Sequence, residues 1–385
     1  MRDRRMKIAY CTPSLYIPGG VERVLTTKAN YLADVAGYDV YIILTDGKKK
    51  APYYPLSDKI HIINLDINFE ELWSLSFVKK CIVYLKKQQI FKRELSKTLY
   101  ALKPDITISL LRREINFLCD IKDGSKKVGE MHINKAHYRN FEGKDYNIIK
   151  GVFAKLWMRS LVKNLKKLDK MVVLSEEDKR SWTGINNIIA IPNPLPFNMS
   201  DTSTPQKQQV IAVGRYVHEK GFDLLLESWK YVYAKYPDWQ LVFYGTGETG
   251  QYKKQAQELG IEKVCSFNGA VKNIQEKYAE SSIYALSSRF EGFGMVIIEA
   301  MSRRIPVVSF DCPYGPKAII TDGKDGFLVE NGNTQQLAER ICYLIEHDEE
   351  RKTMGKHALE TAKKYDINEI GKRWVALFER IVSTT

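Results

Sequence analysis

The chain has 385 residues, 44% apolar and 27% charged, with a formal net charge of +13. These proportions exclude a disordered chain and a fibrous repeat, and the length allows two domains that each bury a core. No apolar run approaches the length of a membrane span, and Met1-Arg2-Asp3-Arg4-Arg5 leads into no signal-peptide core, so a cytoplasmic protein is expected. Up to Pro192 there are 35 Lys+Arg against 21 Asp+Glu, and beyond it 24 against 25, so all the positive excess lies in the first half. A basic half implies an acidic partner: nucleic acid, anionic lipid or a phosphorylated substrate. The six cysteines are scattered, with no Cys-x-x-Cys and no zinc spacing, and are expected to be free, buried thiols.

Lys7–Cys11 reads as a first strand. Pro18-Gly19-Gly20 then forms a loop, and Val21–Leu25 opens a helix. Strand, glycine loop and helix together make a place where backbone can approach a phosphate. Apolar runs at 38–44, 60–63 and 105–110 read as strands covered on both faces. Alternation of such strands with helices predicts a parallel, doubly wound sheet. Two helices of this half are basic. Residues 77–100 carry seven Lys or Arg against Glu94, and residues 150–170 carry seven against Asp169, with an apolar stripe at Phe153, Leu156, Trp157, Val162, Leu165 and Leu168. Each reads either as a core-facing helix with solvated lysines or as a helix lying on an anionic membrane. Between them, Val128–His132 reads as a strand that places His132 at its C-terminal end, where open α/β sheets bind ligands. His137 stands nearby. Met171–Ser175 is a further strand, and Glu176 and Glu177 suit the first turn of the helix after it.

Ile191-Pro192-Asn193-Pro194-Leu195-Pro196 and the polar run after it can continue neither helix nor inner strand. The expected division is therefore a domain over 1–192, a linker over 193–208 and a second domain over 209–365. The second domain opens with the strand Val210–Val213, and Gly214, Arg215 and Lys220 follow it. Arg215 and Lys220 at the ligand edge of a sheet could hold a diphosphate. Gly245-Thr246-Gly247-Glu248-Thr249-Gly250 matches the G-x-G-x-x-G dinucleotide fingerprint after a strand. The fingerprint also expects an acid at the end of the next strand, and that strand ends in Asn268-Gly269 instead. The match is therefore read as a decoy.

The strand Ile283–Leu286 feeds Ser287–Gly294 and then a helix from Met295. Glu291 and Glu299 flank the two glycines, Gly292 and Gly294. Unpaired N–H groups at a helix start favour anions, and carboxylates accept hydrogen bonds from hydroxyls. The layout suits a ligand carrying both phosphates and hydroxyls, such as a nucleotide sugar. Ile305–Phe310 and Gly326–Val329 are the last strands. A loop over 311–316 and a short helix over 317–320 lie between them, and helices run from Thr334 onward.

Glu291 and Glu299 resemble the Glu-x7-Glu motif of retaining glycosyltransferases, in particular family 4, the group 1 transferases of bacterial polysaccharide type with the GT-B fold. Gly214-Arg215, Lys220-Gly221, the Asn193-Pro194 junction and the Gly245-x-Gly247 loop match the same pattern. The resemblance implies two Rossmann-like domains facing each other across a cleft, with a final helix, 366–385, returned onto the first. It implies a nucleotide-sugar donor, with UDP the expected nucleotide, and no metal or other cofactor. It casts Glu291 with the donor-sugar hydroxyls, Glu299 with the ribose and His132 with the sugar from the first domain. Arg215, Lys220, Gly19, Gly20 and the loop Gly292, Phe293, Gly294 and Met295 would lie around the diphosphate. The acceptor would be a glycan or an undecaprenyl-diphosphate-linked saccharide, used at the inner face of the cell membrane. Lys317-Ala318 departs from the Ser-Glu usual in relatives, so no acid role is expected there. Rival readings are a sugar-nucleotide epimerase of similar fold, an NAD-dependent oxidoreductase, and a nucleic-acid binder. No nucleic-acid-binding motif is present, and no such partner is expected.

Overall fold

The computed structural model describes residues 5–133, 135, 148–197, 199 and 207–383. His137, half of the expected linker and the side chains of Lys150, Phe153, Lys155 and Leu156 lie outside the described residues. The chain divides into two units. One comprises Met1–Pro194 with Ile367–Thr385, and the other is Leu195–Asp366.

The first unit contains β1 (Lys7–Thr12), α1 (Gly20–Asp34), β2 (Asp39–Leu44), β3 (His61–Asn64), α2 (Phe77–Leu102), β4 (Ile106–Ser109), β5 (Lys126–Glu130), α3 (Ile148–Leu165), β6 (Lys170–Val173), α4 (Glu176–Ser181) and β7 (Ile188–Ala190). Its strands form one parallel sheet in the order β3-β2-β1-β4-β5-β6-β7. Strand residues alternate between two cores, as the two-residue period of a pleated strand requires. Ile8 and Tyr10 pack with Leu25, Ala29 and Leu32 of α1, whereas Ala9 and Cys11 pack with Phe91, Leu95 and Leu99 of α2. The first of these cores also takes Ile370, Trp374, Leu377, Phe378 and Ile381.

The second unit contains β8 (Gln209–Val213), α5 (Phe222–Lys235), β9 (Gln240–Tyr244), α6 (Gly250–Glu258), β10 (Cys265–Asn268), α7 (Ile274–Ala279), β11 (Ile283–Leu286), α8 (Met295–Met301), β12 (Val307–Phe310), α9 (Pro316–Ile319), β13 (Gly326–Val329), α10 (Thr334–Glu346) and α11 (Asp348–Lys363). Its parallel sheet runs β10-β9-β8-β11-β12-β13. Trp229, Phe243 and Phe310 are fully buried at its centre. The last helix, α12 (Ile367–Ser383), belongs to the first unit.

Two expectations need correction, and one open alternative is decided. The basic helix expected over 150–170 ends at Leu165. Lys166 and Lys167 lie in the turn that follows, and Lys170 already opens β6. The apolar stripe of α3, where its side chains are described, faces the core: Leu161 and Leu165 are buried and Trp157 and Val162 pack against them. Among the cysteines, Cys81 is exposed, and Cys265 is only half-buried, because it packs against the core from the edge strand β10.

Candidate active site

Both sheets reverse direction of strand order once, between β1 and β4 in the first unit and between β8 and β11 in the second. Loops leaving neighbouring strands diverge at such a point and open a crevice at the carboxyl edge. In the second unit the loops on either side of that point carry the predicted residues.

Lys220 ends a single 3-10 turn, His218–Lys220, after β8. Its aliphatic stem runs over Gly214, where an added Cβ would stand 3.2 Å from it. Its Nζ donates to Glu291 Oε1 at 2.6 Å, and Ser288 Oγ donates to the same oxygen at 2.7 Å. Glu291 is buried, so a carboxylate is held there by two donors rather than left to solvent. Glu299 is buried on α8 and accepts from the Tyr278 hydroxyl at 3.1 Å. Tyr284 of β11 lies beneath both glutamates. Burial pushes its hydroxyl well up in pKa, and the charges of Glu291 and Glu299 add to this. The sheet thus places the two carboxylates around one buried phenol. Arg215 is exposed beside Gly214.

The loops are bound to each other. Arg289 grips Asp223 of α5 with two hydrogen bonds, 2.9 and 2.6 Å, and also donates to the His218 carbonyl at 2.7 Å. Burial pushes the Asp223 carboxyl up, but the guanidinium outweighs it and holds the group below its ordinary value. Ser287 Oγ donates to the Lys220 carbonyl at 3.0 Å. The Phe293 ring is buried edge-on against Tyr365, 5.7 Å between centroids, and Gly294 caps α8 in the left-handed conformation (φ 88°) ahead of Met295. Glu291 N–H donates to the Pro313 carbonyl at 3.4 Å, which ties Gly292 and its neighbours to the loop after β12. Cys312 in that loop is no ready nucleophile, because burial, and then the charge of Glu291, push its thiol up. Gly245 serves packing: a Cβ there would collide with the Gly214 carbonyl.

In the first unit, Gly19 caps α1, which begins at Gly20. A Cβ on Gly20 would meet no atom within 4 Å, so packing of the unit does not demand glycine there. His132 lies two residues beyond the end of β5, and its Nε2 is 3.2 Å from Glu130 Oε1. Glu130 is paired with Lys28 of α1, and both are fully buried. Burial acts to raise the Glu130 carboxyl, but the charges of Lys28 and His132 prevail and bring it down to about 2. The Lys28 ammonium also lies 4.3 Å from the Trp374 ring centroid. Sequence reasoning did not single out Lys28, Glu130, Ser288, Tyr278 or Tyr284. A lysine inside the inner apolar stripe of α1 was the available signal for the first. Among the described residues, no group of three or more His, Cys, Asp or Glu side chains could hold a metal ion.

Two doubly wound parallel sheets with functional loops at their carboxyl edges define a two-domain Rossmann-like α/β protein, the architecture of GT-B transferases. Residues 198–361 match the family described as glycosyl transferases group 1. An uncharacterized glycosyltransferase of Haemophilus influenzae is 31% identical over 379 residues, covering 96% of this chain and 98% of its own. The chain belongs to this glycosyltransferase family. A Campylobacter jejuni alpha-1,4-N-acetyl-D-galactosaminyltransferase, whose name gives a diNAcBac-PP-undecaprenol-linked acceptor, is 25% identical over 98% of this chain and 99% of its own. The fold is shared with a Staphylococcus aureus TarM variant solved with fondaparinux, alpha-GlcNAc-glycerol and UDP. The TM-score is 0.77 at 18% identity, over 97% of this chain and 100% of that one.

Proposed function

We propose that the protein is a retaining, metal-independent glycosyltransferase that moves a hexose or N-acetylhexosamine from a UDP-sugar to a surface-polysaccharide acceptor. The observation that carries this is the Lys220–Glu291–Ser288 cluster beside buried Glu299 at the switch point of the second sheet. A lysine ammonium has three donors, so Lys220 can hold Glu291 and still offer N–H to a diphosphate. Exposed Arg215 adds a second cation. Together with the backbone near Gly294, these cations answer the main demand of the reaction, the charge that grows on the departing diphosphate. Glu291 takes the sugar hydroxyls and Glu299 the ribose. The bond from the anomeric carbon to the phosphate oxygen breaks, and the acceptor oxygen bonds to that carbon on the same face. The acceptor proton goes to the departing phosphate. No protein nucleophile is assigned.

The acceptor is proposed to be a glycan or an undecaprenyl-diphosphate-linked saccharide. The relative with a lipid-diphosphate acceptor in its name and the positive excess of the first half support this reading. The same excess supports a cytoplasmic protein held peripherally at an anionic membrane face through its basic helices. Thermal unfolding with UDP, GDP, ADP and NAD tests the donor assignment. UDP at about a hundredfold excess over Kd should stabilise by about 2.7 kcal/mol and raise Tm by several degrees, an effect lost in Glu299→Ala. A shift with NAD alone that ignores Glu299→Ala would overturn the reading. Release of altered sugar with no acceptor present would favour an epimerase.

A further inference from the structure

Helix α2 buries only one side. Phe91, Leu95 and Leu99 enter the core. Nearer its start Val78, Ile82 and Leu85, spaced i, i+4, i+7, are 68%, 52% and 63% exposed, and Trp73 in the turn before the helix is 72% exposed. An outer helix face of a folded domain is normally polar, and a contiguous apolar stripe there marks a surface that meets something else. Lys79 and Lys86 flank the stripe, are exposed, and make no ion pair among the described residues. Three further cations of α2 are engaged: Lys87 bonds the Ile67 carbonyl and Glu71, Arg93 pairs with Glu94, and Lys92 reaches Asp120. Seven Lys or Arg stand on α2 against a single acid. Among its described residues, helix α3 has no comparable stripe, because their apolar side chains are used inside the fold.

We propose that α2 docks the protein on an anionic bilayer. Trp73, Val78, Ile82 and Leu85 enter the boundary between headgroups and acyl chains, while Lys79 and Lys86 meet lipid phosphates. An apolar stripe bordered by uncompensated lysines suits a surface that is apolar below and negative above, and a tryptophan with one wet and one dry edge belongs at that boundary. This inference rests on the peripheral membrane placement proposed above and names the face responsible.

Flotation of the full chain with vesicles of phosphatidylcholine, alone or mixed with phosphatidylglycerol, tests it. The wild type should float with the mixed vesicles only. I82E/L85E should lower the bound fraction by about tenfold or more, and K79Q/K86Q by roughly fivefold per charge removed at low salt. Both variants should keep the UDP-induced thermal shift, which shows an intact fold. Binding that K79Q/K86Q abolishes and I82E/L85E leaves unchanged would overturn the inserting stripe while the membrane placement stands. A wild type that floats with neither vesicle would overturn both. A wild-type dimer that I82E/L85E dissolves, without vesicle binding, would assign the stripe to a second copy and overturn the lipid.

Discussion

Lys28 and Glu130 form an ion pair out of reach of solvent, with a tryptophan ring over the lysine and an imidazole beside the glutamate. Removing one partner of such a pair leaves a buried charge uncompensated and costs about 3–5 kcal/mol. Lys28→Met should therefore lower the stability read by urea unfolding by that amount, and Lys28→Met/Glu130→Leu should recover much of it. A double variant as unstable as the sum of both singles would show that the two do not interact. The pair also predicts an acid limb. The Glu130 carboxyl titrates at about 2 in the fold against an ordinary 4.5. Its contribution, about 3 kcal/mol, is present above about pH 4.5 and is lost as the pH falls toward 2. Glu130→Gln should flatten that part of the stability curve. From the sequence, Lys28 could be seen as a charge on the inner stripe of α1. Its partner could not, because only the strand order brings the end of β5 beneath α1. The motif glutamates were legible from spacing alone, whereas Ser288, Tyr278 and Tyr284 act through contacts that spacing does not encode.

At the scale of elements, the turn His218–Lys220 and the loop Ser287–Glu291 interlock through Gly221. Its φ is 60°, and a Cβ there would run into the Ser287 carbonyl. Gly221→Ala should cost more than about 2 kcal/mol, from the left-handed backbone together with the collision. It should also weaken UDP binding, since Lys220 and Glu291 lie on the two sides of that contact. A variant with wild-type Tm and UDP response would show that the loops adapt. The longer elements were readable because their apolar runs are long. The strand β7 was not: three residues between Asn187 and the proline-rich segment give no period to detect. The end of α3 was overrun for a related reason. Asn164–Asp169 contains no glycine or proline, so nothing in the sequence marks the stop, and the turn is fixed instead by Asn187, whose amide donates to the Leu165 and Leu168 carbonyls at 3.1 and 2.6 Å.

At the scale of the molecule, the first unit is built from two separated stretches of chain. The helix α12 supplies Ile370, Trp374, Leu377, Phe378 and Ile381 to the core that α1 and β1 begin. Deleting residues 367–385 removes five buried side chains and uncovers the Lys28–Glu130 pair. The loss exceeds the 5–15 kcal/mol that holds a typical domain together. The truncated protein should show one remaining thermal transition, that of Leu195–Asp366, and proteolysis should leave that unit intact. Two surviving transitions would show that α12 is dispensable.

The same arrangement sets a timetable during synthesis. Leu195–Asp366 is one uninterrupted stretch and can close as soon as it emerges. The first unit must wait for that whole stretch to be made before its last helix exists, roughly 10–35 s at about 5–20 residues per second. Through that interval the apolar groove that α12 will fill stands open to water and to other chains. A nascent protein of this design should therefore depend most on chaperones in its earliest-made half.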